Sequence, residues 1–492
     1  MKRLTPLALA ALLVLGSLTR ARAAEVRMVG DTLIYGVYFA NHNFTGWNAY
    51  GSQTEDRFEI YERYRLRTSF IANENLKFRL GVRVQTVWGH GTYTAANPSA
   101  DALQVYQAYL QFKWPDTDVE ITAGMQEFSL PANAIFCDSV VWGGTMAAAA
   151  IVTAPIIPEK LTLTAGFSRM VDDNQTFDTT TTQVADTMDL SFLSLPVVLN
   201  GTKITPWAAL SVVGRDLDFQ RVYTYGNEGV LDSNMLSPQA ASHENYRDAK
   251  VWSHGQVPYW WAGGVFELTA LDPVKFYADV LYGEGAMADR SSSRRHGWFV
   301  DFAAEYAGWA LLTPQAFAWW STGEDGSSRN GSERMPSIVT CWGPGGNFLF
   351  DSAQEMTLNS NISANPIGNW GLGVALANVS FLEKLSHRAS FIYMRGNNSN
   401  RALRRANLAV ASGGLGLHDL NYVVMGRDLS VDEYAMGVNV DTTYQLYENL
   451  AVLLETGWAH GQYKRSIWAP NAGDRMRNND AWKITVGFSY KY

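Results

Sequence analysis

Seven basic residues, Arg63, Arg65, Arg67, Lys77, Arg79, Arg83 and Lys113, fall at positions of one parity in three short segments of a 492-residue chain. Period-two spacing places side chains on one face of a β-strand. Sharing a face, with Arg65 opposite Arg83, they repel one another unless something negative lies close. In a packed soluble core that row would be very costly. In a water-filled lumen it forms a wall that attracts anions. The plainer alternative is that acids on neighbouring strands, or on an infolded loop, pair with them. A second set, Asp279, Asp301, Glu305, Asp441 and Glu455, also reads as inward. Basic and acidic walls facing each other would set up a transverse field that orients dipolar solutes. Chance is the competing account, since half of all strand residues face inward.

A third group lies in segment 129–145, which holds Phe136, Asp138 and Trp142 followed by Gly143-Gly144. It is more apolar than a loop in water should be. Folding into a lumen and narrowing it explains that content; packing on a rim or at a subunit contact is the other reading. Motifs for bond-making chemistry are missing: no Gly-x-Ser-x-Gly, phosphate loop, His-Glu-x-x-His or Cys-x-x-Cys occurs. His243-Glu244 lacks a second histidine, and Asp172-Asp173-Asn174 lacks the acidic spacing of a calcium loop. No enzyme, cofactor or metal is expected.

The elements that must position these groups are strands. From Trp482 to Tyr492, alternate residues are Trp482, Ile484, Val486, Phe488, Tyr490 and Tyr492, with Lys483, Thr485, Gly487, Ser489 and Lys491 between them. One face is greasy and the other polar, as in a strand between two media. The hairpin around Asn73-Glu74-Asn75 repeats this. Pairing Ala72 with Leu76 sets Phe70 against Phe78, Thr68 against Leu80, Leu66 against Val82 and Tyr64 against Val84 on one face. Ser69 then faces Arg79, Arg67 faces Gly81, Arg65 faces Arg83 and Arg63 faces Gln85 on the other. A slip of one residue would ruin both faces. The next strand is expected to point Tyr106, Ala108, Leu110 and Phe112 outward, and Gln107, Tyr109, Gln111 and Lys113 inward.

The whole chain reads as eighteen such strands, with sixteen the other even count, joined alternately by short turns and long polar segments such as 215–256, 322–367 and 397–431. Short turns at one end and long loops at the other is the layout of an all-β transmembrane barrel. An even count puts both termini on the short-turn, periplasmic side. Residues 24–492 read as one domain.

The start of the chain agrees. Met1-Lys2-Arg3, an apolar run from Leu4 to Leu18 and Ala21-Arg22-Ala23 read as a secretory signal peptide spanning 1–23. Its removal takes four of 39 basic residues and none of 47 acids, leaving a net charge of about −12 and no reason to expect nucleic acid. Beyond it no run of eighteen apolar residues occurs. With 17% charged and 13% aromatic residues, the composition suits strands that present only alternate side chains to lipid. Cys137 and Cys341 both fall in loops and either pair in an oxidising periplasm or stay as thiols.

Particular words carry a family likeness. The stretch from Ala24 to Met28, Asn41-His42-Asn43-Phe44-Thr45-Gly46-Trp47-Asn48, the hairpin Asn73 to Gly81, and Val105 to Pro115 resemble the outer-membrane homotrimeric porins of Desulfovibrio-type sulfate reducers. Trp142-Gly143-Gly144-Thr145 is faintly similar to the constriction-loop segment of general porins. The resemblance implies a trimeric diffusion channel for small hydrophilic solutes. It also implies recognition of the C-terminal strand, through Trp482, Phe488, Tyr490 and Tyr492, by the barrel assembly machinery, with outer-membrane lipid as the surrounding medium. Added to the basic wall, it predicts mild preference for anions such as sulfate or organic acids. The competing expectations are a secreted β-sandwich binding carbohydrate through its 17 Trp, and a barrel enzyme. A plugged transporter would need well over a hundred residues ahead of the first strand.

Overall fold

The computed structural model describes residues 25–41, 44, 56–89, 103–172, 187–214, 217, 234–235, 255–286, 291–327, 329–350, 362, 364–405, 426–472 and 480–492. The expected leader 1–23, His243-Glu244 and the residues Asp173-Asn174 lie outside the described residues.

The chain forms one antiparallel sheet. Its strands are β1 (Glu25–Ala40), β2 (Arg57–Asn73), β3 (Leu76–Val87), β4 (Gln104–Lys113), β5 (Glu120–Phe128), β6 (Thr145–Ile157), β7 (Leu161–Asp172), β8 (Thr187–Ser194), β9 (Val197–Leu199) and β10 (Thr202–Gly214). They continue as β11 (Gln256–Leu268), β12 (Val274–Ala286), β13 (Arg294–Tyr306), β14 (Thr313–Ser321), β15 (Asn369–Leu382), β16 (Leu385–Gly396), β17 (Tyr434–Tyr447), β18 (Leu450–Gln462) and β19 (Asp480–Lys491). A short helix, α1 (Arg465–Ala472), follows β18.

Segments β8 and β9 both pair with β10 and with β7, so they form one barrel strand. It is interrupted at Leu195-Pro196, where proline has no N–H for the ladder. The Leu195 N–H and the Pro196 carbonyl still bond to Pro206 and Thr162 across the break. The barrel therefore has eighteen strands. It closes where β1 pairs with β19 from Asp31↔Lys491 to Ala40↔Trp482, while its other edge pairs with β2. Closure leaves no unpaired edge, the condition for a sheet to stand in hydrocarbon.

The polarity is the reverse of a soluble protein's. Along β19, Trp482 and Phe488 are each 51% exposed while Lys483 is 1% exposed and Thr485 fully buried. The exposed stripe continues around the outside through Phe78, Leu110, Val152, Leu210, Trp298, Phe302, Leu372, Val438 and Leu454. This closed arrangement with an apolar outside overturns the soluble β-sandwich, which would keep open edges and a polar exterior. Among the described residues no helix is long and apolar enough to cross a membrane; the strands do so.

The β2–β3 register agrees with the hairpin reading from Phe70↔Phe78 to Arg63↔Gln85, and the two rings stack with centroids 6.2 Å apart. Only the turn differs: Leu76 pairs with Asn73 rather than Ala72, through a register shift. A second shift lies between β3 and β4, where Gly81 pairs with Gln107 but Val82 with Val105. Tyr106 is the extra residue of this bulge and turns inward, against the outward expectation, because a bulge re-aims a side chain. Gly81 makes room: a Cβ there would stand 2.9 Å from the Tyr106 ring.

Candidate pore and its infolded loops

On β2, Arg63, Arg65 and Arg67 all face the inside, and among the described residues Asp31 is the acid that meets all three. Asp31 on β1 lies opposite Arg65 in register. Its carboxylate accepts from Arg65 Nε at 2.9 Å and stands 3.5 Å from Arg63 and from Arg67. Asp31 and Arg63 are buried, whereas Arg65 and Arg67 are half-buried. Among the described residues this one carboxylate is shared by three guanidinium groups. On β3, Lys77, Arg79 and Arg83 are likewise inward and part-exposed. Arg83 donates to Gln104 at 3.0 Å and lies over the ring of the inverted Tyr106, 5.7 Å from its centroid. Lys113 sits apart, at the β4–β5 turn, in an exposed ion pair with Asp118.

The inward acids occupy different surroundings. Asp279 and Asp301 are 4% and 1% exposed and lie side by side in register on β12 and β13. They hold a loop. The Asn133 backbone N–H donates to Asp279 at 3.1 Å and its side-chain amide to Asp301 at 2.8 Å. Trp342 Nε1 donates to the other Asp301 oxygen at 2.9 Å. Glu305 accepts from Tyr277 and Gln315 and pairs with Lys275. Glu455 and Lys483 form a buried pair at 2.6 Å. Asp441 lies in register between Arg388 and Glu455, with Gly346 packed on its carboxylate. None of these five presents a freely hydrated carboxylate, so the expected field between two exposed walls is reduced to its basic side.

Residues 129–144 run inside the barrel. Phe136 is fully buried, stacked on Trp342 at 4.7 Å and edge-on to Phe317 at 5.9 Å. Trp142 is buried against Phe128, and its carbonyl accepts from Leu130. Asp138 accepts from the Ser139 N–H, and burial pushes its carboxyl above the usual aspartate range. The strands behind this loop carry an apolar inner face, including Phe128, Phe192, Trp207, Trp261, Phe299 and Trp319, which is what an apolar loop needs to fold inward.

A second loop joins it. Residues 322–350 belong to a segment expected to extend outside as a polar loop; the described part instead folds into the barrel. Trp342 packs between Phe136, Phe299, Trp319 and Phe350. Gly345 and Gly346 carbonyls accept from Arg388 and Ser390 on β16. Phe348 donates its N–H to Asn439 on β17 and meets Phe39 of β1 edge-on, 5.1 Å between centroids. The signal was in the sequence, since Trp342 and Phe348-Leu349-Phe350 are as out of place in an external loop as Phe136 and Trp142. They are diluted there by Gly, Ser and Asn.

The two loops, together with buried residues of other segments such as Met235, Leu429 and Trp468, occupy the lumen where inward side chains such as Leu33, Tyr259, Leu281, Phe317 and Met394 are buried. Inward residues of the short-turn half, including Thr153, Thr164, Gln315 and Thr443, remain part-exposed. So do Arg65, Arg67, Arg79, Arg83 and Gln85 on β2 and β3. The part-exposed inward residues are thus found toward the short-turn end and along β2 and β3.

A closed, eighteen-stranded barrel with an apolar exterior, short turns at one end and infolded loops is an outer-membrane β-barrel with the fold of porins. Solved structures of that fold are similar over nearly their whole length. Pseudomonas aeruginosa OpdL aligns with a TM-score of 0.51 at 10% identity, covering 95% of this chain and 99% of its own. Acinetobacter baumannii OccAB4 aligns with a TM-score of 0.51 at 9% identity, covering 96% and 100%. Pseudomonas aeruginosa OccK3 (OpdO) gives 0.50 at 11% identity, covering 94% and 95%. At such identities the likeness is one of fold. No family model matches the chain, and no curated protein matches it.

Proposed function

We propose that the chain is a porin, a passive water-filled diffusion channel for small hydrophilic solutes with mild preference for anions. The observation that carries this reading is the imbalance of accessible charge. Arg65, Arg67, Arg79 and Arg83 are inward and part-exposed, while Asp279, Asp301 and Glu455 are buried in bonds to loops or to Lys483. Charges close to the path act strongly, and those on outer loops are screened beyond about 10 Å at 0.1 M salt. The overall negative charge therefore weighs less than the wall. Loop 129–145 serves as a constriction in this reading, together with the second loop.

The test is reversal potential in planar bilayers under a salt gradient. Wild type should favour anions modestly, and the triple variant R65E/R79E/R83E should move the potential toward cations. A cation-preferring wild type, or an unmoved triple variant, would make the basic ladder structural. The resemblance to the Desulfovibrio-type porins supports a homotrimer. Native mass spectrometry in detergent should give three copies; monomers alone would remove that part of the reading.

A further inference from the structure

The outer wall of the barrel is not alike all the way round. Trp260, Tyr282, Trp298, Tyr393 and Trp458 each face outward eight positions from the short-turn end of their strands, β11, β12, β13, β16 and β18. Rings on neighbouring strands adjoin. Tyr282 lies 5.3 Å from Trp260 and 5.0 Å from Trp298, and Trp458 lies 6.4 Å from Trp482 of β19. Amphipathic aromatics at one depth form the girdle where a barrel wall meets lipid headgroups.

On β5–β10 the girdle stops. Among the described residues Phe167 is the one outward aromatic of these strands, and it lies two positions nearer the short turn than girdle depth. At girdle depth β7 carries Arg169 and β10 carries Leu210, each eight positions from its short-turn end. Arg169 is held by Asp189, opposite it in register on β8, with Nε 2.8 Å and Nη2 3.0 Å from the carboxylate. Its Nη1 donates to Asp172 at 3.1 Å. The Arg169 side chain remains 47% exposed, so this charged cluster stands on the outer wall. The exposed outward residues around it are small or aliphatic: Ala123 and Met125 on β5, Ala148, Ala150 and Val152 on β6, and Leu193 on β8.

Lipid headgroups suit the girdled wall. A wall without aromatics that carries a charged cluster suits protein, which packs closely on small side chains and offers charge a partner. Five barrel strands, β5, β6, β7, β8 with β9, and β10, make up this sector. Spaced about 4.8 Å apart under an apolar band about 25 Å tall, they offer about 600 Å² per copy, approaching the roughly 800 Å² per partner of a standard interface. The cluster carries both signs, so the wall is complementary to a second copy of itself. We propose that the outer wall of β5–β10 is the face through which copies of this chain meet in the membrane, with Arg169, Asp172 and Asp189 at the headgroup edge of the contact. The inference rests on the homotrimer reading and adds where the contact lies. In a closed threefold assembly the middle strand, β7, points toward the axis, and β5 and β10 meet the two neighbours.

Full-length protein is extracted in mild detergent and sized by native mass spectrometry. Wild type should give three copies. A148W/A150W, which adds two rings to the outward face of β6, should give monomers that keep the heat-dependent gel shift of a folded barrel. V438W/V440W makes the same change at exposed outward positions of β17 and should stay trimeric. A second measurement avoids added bulk: Ala148→Cys and Val438→Cys are each made together with C137S/C341S and treated with a bis-maleimide in native membranes. Linked copies on denaturing gels should be several-fold more abundant for A148C than for V438C. A trimeric A148W/A150W, or links that favour V438C, overturns the inference while leaving the trimer in place. A monomeric wild type would remove the homotrimer reading itself, and this contact with it.

Discussion

Asp31 is the residue on which the basic wall depends. Its carboxylate lies within 3.5 Å of Arg63, Arg65 and Arg67, and both it and Arg63 are buried. Removing one partner of a buried charge cluster typically costs about 3–5 kcal/mol, because the remaining charge is left uncompensated. Here Arg65 and Arg67 keep contact with water, which screens them, so Asp31→Asn should fall near the low end, about 3 kcal/mol. The variant should lose its heat-dependent gel shift at a lower temperature than wild type. In bilayers its reversal potential should move further toward anions, since one negative charge has left a positive wall. An unchanged potential would mean that Asp31 does not set the field felt by ions. In the sequence Asp31 has the right parity, sharing it with Leu33 and Tyr35, but its partner strand follows a long loop, so the β1–β2 register could not be derived.

The elements that matter most for conduction are two loops whose apolar residues find a greasy inner wall. Asn133 ties the first to Asp279 and Asp301, and Trp342 ties the second to the same Asp301. Buried carboxylates left without these donors are costly, about 1–3 kcal/mol for each lost hydrogen bond and more for charged groups. Deleting residues 133–141 should therefore raise unitary conductance while loosening the second loop, seen as added current noise. Unchanged conductance in a correctly folded deletion would place the loop away from the path. The apolar content of 129–145 pointed to burial in the lumen, on the rim or at a subunit contact, and the buried Phe136 and Trp142 pack on inward side chains of the barrel. The second loop follows the same physics, yet its four large side chains are spread over a segment dominated by turn residues. Neither loop's destination could be read, since that depends on which side chains line strands a hundred or more residues distant.

For the molecule as a whole, the lipid belt and barrel closure are one device. The outward stripe of β19 is about half exposed, and its inward partners Lys483 and Thr485 are buried. A charged side chain on the lipid face costs about 2–4 kcal/mol for Arg near mid-membrane. Val486→Arg should lower the heat-shift midpoint and the yield of assembled barrel, whereas Ser191→Thr, near the loop end of β8, should be close to neutral. If Val486→Arg assembles and melts as wild type does, the stripe does not face hydrocarbon.

The sequence by itself determined that strands of period two cross a membrane and that their number is even. It also determined the β2–β3 register from Phe70↔Phe78 to Arg63↔Gln85. These are local properties, set by alternation and by turn chemistry over spans shorter than about twenty residues. Only the tertiary structure decided what each inward charge faces. It assigned Asp31 to three arginines, Asp279 and Asp301 to a loop, and Glu455 to Lys483. It turned Tyr106 inward through a one-residue bulge, and it stacked Phe136 on Trp342. Each of these pairs residues across strands or loops far apart in the chain, where the energy comes from desolvation and packing that no single segment contains.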